Sequence, residues 1–203
     1  MIEGDTIDSD NTPEHSQSCQ KPFGGTLNLI MLHGVLMVIG WGILLQAGAF
    51  IARYFRHKNP LWFHLHRICQ ISGLLFAIGG FICGVKSVRF DDFKFAHGGL
   101  GLFIMIVGLL QPFNAIIRPH VKAGEDKTMK RKIWELFHIN LGRIALILAV
   151  VNISLGILQG QGRETHHIVW HSYVALFIIT YIVMEVKLQY KKVKSDDVNI
   201  ELK

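Results

Sequence analysis

Residues 97–114 read HGGLGLFIMIVGLLQPFN: a histidine, glycines at 98, 99, 101 and 108, and an almost unbroken apolar run. With its lead-in from Phe93 to Ala96 the run is long enough to cross a membrane as a helix. Histidine is costly in a bilayer, so one held near the end of such a helix calls for a partner. The pattern has an echo at 138–152, HINLGRIALILAVVN. Gly142 follows His138 by four residues as Gly101 follows His97, and Gln111 and Asn152 each lie 14 residues past their histidine. Two helices thus pair a ligand-type residue with a bare backbone position one turn later, which leaves a gap for a flat cofactor.

Half of the 203 residues are hydrophobic and the mean hydropathy is +0.34. Several apolar runs exceed about 18 residues, which defines an integral membrane protein. Lipid admits only helices and closed barrels, and continuous runs of this length mean helices. The formal charge of +6 would suggest nucleic acid in a soluble protein. Here the basic residues sit in short loops, so they signal membrane orientation and no nucleic-acid partner is expected. Cys69 and Cys83 lie on one predicted helix, about 21 Å apart at the helical rise, so they cannot pair, and Cys19 stands alone in the N-terminal tail.

Residues 1–26 are polar and acidic, with no basic opening and no evident cleavage site, and read as a disordered extracytosolic tail. Five helices are predicted at 27–52, 62–85, 95–117, 134–158 and 167–188, with Pro119 closing the third and Pro112 kinking its last turn. Residues 189–203 form a solvated cytosolic tail. The loops after helices one and three and the C-terminal segment together carry 14 Lys and Arg, against 5 on the other side. The N-terminus is therefore expected outside and the C-terminus in the cytosol.

Of the 11 histidines, His15, His57, His120 and His166 fall in tails or loops. His33, His66, His97 and His138 fall one to a helix near alternating membrane faces: out, in, out, in. That register pairs His33 with His97 near the outer face and His66 with His138 near the inner one, across a four-helix bundle of the kind that builds cofactor sites from facing side chains. Two neutral imidazoles can supply both axial bonds to a haem iron, leaving no open position for oxygen. Zinc would want three or four ligands together, and each side offers two. His66 is preferred to His64 because Gln70 and Gly73 follow it. His171, beside Trp170, is assigned to the membrane interface.

The segments LHGVLMVIGWGILLQAGAFIARYFR, WFHLHRICQ, HGGLGLFIMIVGLLQPFNAIIRP and WELFHINLGRIALILAVVNISLGI together resemble the cytochrome b561 family, in the branch fused to DOMON domains and related to ferric-chelate reductase 1. The resemblance covers about residues 27–160, and the fifth helix more loosely. It implies an all-α integral membrane protein in which a four-helix bundle holds two haem b, with one further helix. It implies axial ligands His33, His66, His97 and His138, and an oxidoreductase carrying electrons from cytosolic ascorbate to ferric chelate or monodehydroascorbate outside. No catalytic side chain is assigned. Ascorbate is an anion, so Arg67 and Arg143, one and five residues past the inner ligands, are candidates to meet it or a haem propionate. Two departures stand out: 26 residues are too few for a DOMON domain, and five spans replace the family's usual six. The chain is then either a compact form or part of a longer product, in lipid and with room for a homodimer. Two other functions compete: a di-haem anchor exchanging electrons with quinone, and a histidine-relay ion permease.

Overall fold

The computed structural model describes residues 23–87, 96–121, 124–160 and 163–201. His15, Cys19, Phe93, residues 1–22 of the segment read as a tail, and four of the basic residues counted for orientation (Lys21, Arg89, Lys94 and Lys122) lie outside them. The first span is composite: α1 (Phe23–Met37), a π-helical stretch (Val38–Leu44) and α2 (Leu45–Tyr54). Then come α3 (Leu61–Ser87), α4 (Ala96–Ile116), α5 (Met129–Gln159) and α6 (Glu164–Glu201). Among the described residues five helical spans are long and apolar enough to cross a membrane.

The five predicted helices are present; the first, second, fourth and fifth extend beyond the predicted ends, while the third, Ala96–Ile116, stops one residue before the predicted 117. α1 begins at Phe23, inside the segment read as tail. α5 begins at Met129 because Thr128 caps it, its hydroxyl accepting from the Arg131 backbone N–H at 3.3 Å. α6 continues to Glu201, so the tail after 188 is helical, and Lys191–Ser195 is exposed as expected of a solvated segment. α4 runs through Pro112, whose missing N–H removes the bond back to the Gly108 carbonyl.

The first span lies against α3, and α4 lies against α5; α5 then joins the two pairs by meeting α1, α2 and the π-helical stretch. Trp41, Ala77, Ile104, Met105, Ala145 and Ala149 form the dry middle of the bundle. Apolar side chains such as Ile71, Leu75, Phe113, Ile147 and Leu176 are exposed, as suits helices surrounded by lipid. α6 docks on the outside of the bundle through Trp170, only 5% exposed. Its indole N–H donates to Ser154 Oγ at 2.9 Å, and the Tyr173 hydroxyl donates to the Gly42 carbonyl at 2.7 Å. At the other end of α6, Glu185 pairs with Arg53 at 2.7 Å and accepts from the Tyr54 hydroxyl at 3.1 Å.

Candidate cofactor site

Three histidines are held in the same way. Nδ1 of His33 lies 2.8 Å from the Gly80 carbonyl oxygen, Nδ1 of His66 lies 2.9 Å from that of Gly48, and Nδ1 of His97 lies 3.0 Å from that of Asn152. A carbonyl oxygen only accepts, so Nδ1 carries a proton in each ring, and in the neutral imidazole this leaves the lone pair on Nε2. That is the tautomer a metal-binding imidazole needs, with the outer hydrogen bond fixing ring orientation.

The acceptors obey a rule of spacing. Gly80 lies 14 residues past His66 and Asn152 lies 14 past His138, so each antiparallel helix carries a histidine near one end and a carbonyl for its neighbour's histidine near the other. At 1.5 Å per residue the two levels stand about 21 Å apart along the bundle. Gly48 lies 15 past His33, and the wider turns of the π-helical stretch between them absorb the additional residue. The fourth position, 14 past His97, is Gln111. There the rule breaks: among the described residues Nδ1 of His138 is buried without a partner, and its ring is stacked on Trp134 at 5.0 Å and 9°. The Trp134 indole N–H is anchored on the Asn114 carbonyl at 2.7 Å.

One turn past two of the acceptors the helix surface must be bare. A Cβ on Gly84 would come within 2.7 Å of His33 Nδ1, and one on Gly156 within 2.7 Å of His97 Cε1. Ala52 and Ala115 hold the corresponding places at the other level.

The rings of His33 and His97 meet edge-on, with centroids 6.0 Å apart and planes 85° from parallel. Metal–imidazole bonds of about 2 Å on either side of one atom, with half a ring beyond each, span about that distance. His66 lies within charge–charge range of His138. Near each level an amide is stranded: both polar atoms of Gln111 and Oδ1 of Asn152 are buried and unpartnered. Asn152 Nδ2 stands 3.0 Å from where a Cβ on Gly101 would be, and Gln111 Oε1 stands 3.9 Å from that of Gly142. Imidazoles paired across helices, His33 with His97 at 6.0 Å and His66 within charge range of His138, with polar atoms left over beside glycines, fit a haem held by two histidines. Among the described residues no three His, Cys, Asp or Glu side chains gather as zinc would ask.

The remaining candidates lie elsewhere. His64, His57, His120 and His166 are exposed. His171 is exposed too, its Nδ1 2.8 Å from the His167 carbonyl one turn back. Arg67 and Arg143 are both exposed; Arg67 lies over the Phe63 ring at 5.6 Å, and Arg143 is within charge range of Tyr181 on α6. The guanidinium in range of His138 that sequence reasoning misses is Arg118, with Arg131 beside it. Arg118 sits between Phe63 at 5.5 Å and Trp134 at 6.0 Å. Burial, and then the neighbouring charge of Arg131, pull it below its ordinary value. Arg131 is committed to structure: it pairs with Glu135 at 3.0 Å and donates to the Pro119 carbonyl at 3.1 Å. In the sequence Arg118 is simply the residue before the helix-closing Pro119, and only the folded loop brings it over the two rings.

The chain is thus a multi-span helical membrane protein with inward histidines set at two levels. Residues 32–163 match the family profile described as eukaryotic cytochrome b561. Two cytochrome b561 and DOMON domain-containing proteins of Arabidopsis thaliana are each 35% identical to it, over 156 residues (76% of this chain, 38% of the relative) and 164 residues (79% and 42%). A cytochrome b561, DM13 and DOMON domain-containing protein of the same plant is 32% identical over 165 residues, 79% of this chain and 18% of the relative. No solved structure matches. The chain belongs to the cytochrome b561 family, a family of transmembrane electron-transport proteins with b-type haem. It spans well under half the length of these curated relatives.

Proposed function

We propose that this chain carries electrons across a membrane between two haem b sites, held by His33 with His97 and by His66 with His138. The observation that carries this reading is the shared tether: Nδ1–H donated to a carbonyl in three of the four rings, which in the neutral imidazole leaves the Nε2 lone pair for a metal. Bound haem iron with two imidazoles would take up and release one electron with no position open to oxygen. The protein's own part is to fix ring orientation, to keep water from the middle layer around Trp41 and Ile104, and to hold the two levels about 21 Å apart. The excess of Lys and Arg in the loops at the His66/His138 end supports a cytosolic location for that end, with the N-terminus outside.

The electron donor in this reading is cytosolic ascorbate, drawn by the basic rim of Arg118 and Arg67. It would give one electron to the site held by His66 and His138, release one proton to cytosolic water and leave as monodehydroascorbate. Ferric chelate outside is reduced to ferrous, or external monodehydroascorbate to ascorbate. Liposomes loaded with ascorbate and given external ferric chelate test the whole path. His66→Ala or His138→Ala should block haem reduction from inside. His33→Ala or His97→Ala should leave one haem reducible and stop iron reduction. Normal external iron reduction in the His33 and His97 variants would overturn the two-level path. Reduction by quinol with inertness toward ascorbate would favour a quinone-linked anchor subunit instead.

A further inference from the structure

The break in the tethering rule points to a side chain with a task. The equivalent positions that hold His33, His66 and His97 are carbonyls of Gly80, Gly48 and Asn152, which no substitution can remove. For His138 the equivalent position is Gln111, and there the backbone does not take the proton. Instead three polar atoms are stranded around that level: Nδ1 of His138, and Oε1 and Nε2 of Gln111, all buried and unpartnered. Leaving such groups unmade is costly, and three of them suffice to hold one buried water. The Gln111 amide reaches to 3.9 Å from the Cβ position of Gly142, one turn from His138 on the same helix face. Trp134 covers the flat of the His138 ring, so its edge is where an acceptor is missing.

We propose that Gln111 is the positioning residue of His138: its side-chain oxygen accepts the Nδ1 hydrogen, directly or across one water. This rests on the haem reading above. A ring's outer hydrogen bond sets its basicity, and a bound iron reports that basicity as its reduction potential. Backbone carbonyls fix the other three ligands, so one side chain of α4 sets the inner pair apart from the outer pair.

The test uses the purified holoprotein. A reduced-minus-oxidised spectrum of the parent first checks the reading itself; absence of b-type haem there defeats that reading whatever Gln111 does. In the parent with 15N-labelled histidine, reduced to its diamagnetic state, four exchange-protected Nδ1–H signals are expected. Gln111→Met, similar in shape, should lose one of them and raise the potential of one haem while the other stays. Gln111→Glu, a stronger acceptor, should keep four signals and lower the same potential. Three protected signals in the parent would overturn the proposal. So would a Gln111→Met protein with four signals and both potentials unmoved. If Gln111→Met fails to take up haem, the parent's count together with the Gln111→Glu shift decides.

Discussion

The Gly48 carbonyl accepts the Nδ1 hydrogen of His66 at 2.9 Å from a position 15 residues past His33, one more than separates His66 from Gly80 on the facing helix. The π-helical stretch Val38–Leu44 lies between His33 and Gly48 and reconciles the two numbers. Bonding from i to i+5 fits one further residue into a turn without rotating the helix beyond it. The stretch therefore lets a longer segment present both groups to α3 in the register the other spans achieve with regular α-helix.

Removing one residue from that stretch should be tolerated, because plain α-helix would then give the 14-residue spacing. Deletion of Ile39 is expected to leave haem content as in the parent. Deletion of Leu75 on α3, between His66 and Gly80, turns one end of that helix by about 100° and should abolish binding at one level or both. Haem-to-protein ratios by pyridine haemochrome would show it, and equal loss in the two deletions would contradict the register argument.

His33 and His97 need bare neighbours. Gly156→Val and Gly84→Val each place carbon where a histidine ring now lies, at 2.7 Å even for the first methyl equivalent. Each should displace its histidine and reduce haem content to about half that of the parent, leaving the His66/His138 end loaded. A full complement in Gly156→Val would show that the ring has somewhere else to go.

Much of this was legible because membrane helices announce themselves. Apolar length gives the spans, and alternation of direction turns four histidines along a chain into two facing levels. The 14-residue echo of Gln111 and Asn152 was visible as pattern, yet its meaning was not: which atom of a residue faces a neighbouring helix depends on helix pairing, and a backbone carbonyl has no letter in the sequence. The same limit hid Gly48 and Gly80 as acceptors. The π-helical stretch escaped because VIGWGIL reads as ordinary apolar helix. Trp170, next to a histidine assigned to the interface, instead packs into the bundle, since its indole finds Ser154 rather than headgroups.

Trp41 fills the middle layer, 4% exposed and surrounded by Ile104, Met105 and Ala77 in the core cluster. Trp41→Ala should cost about 3–5 kcal/mol and lower the thermal midpoint in detergent. The histidines lie a level away on either side, so the reduced-minus-oxidised difference spectrum of the folded protein should keep its shape. A spectrum that changes while the midpoint holds would mean the indole touches the haem sites instead of only packing between them.

Arg118 offers the sharpest separation of binding from electron transfer. It is held over Phe63 and Trp134 within charge range of His138, and burial together with Arg131 disfavours its charge. A guanidinium remains charged even so, and an arriving anion would relieve both penalties, which is what an ascorbate contact requires. Arg118→Gln removes the charge while keeping a hydrogen-bonding amide on a shorter side chain. Losing a charge-assisted hydrogen bond worth about 1.5 kcal/mol should raise the KM for ascorbate about tenfold, with little change in kcat and none in the haem spectrum. Arg67→Gln and Arg143→Gln, at exposed positions, should move KM by less. Steady-state reduction by ascorbate across a concentration series checks this directly. A larger effect from Arg143 than from Arg118 would relocate the donor site to the α5–α6 side of the bundle.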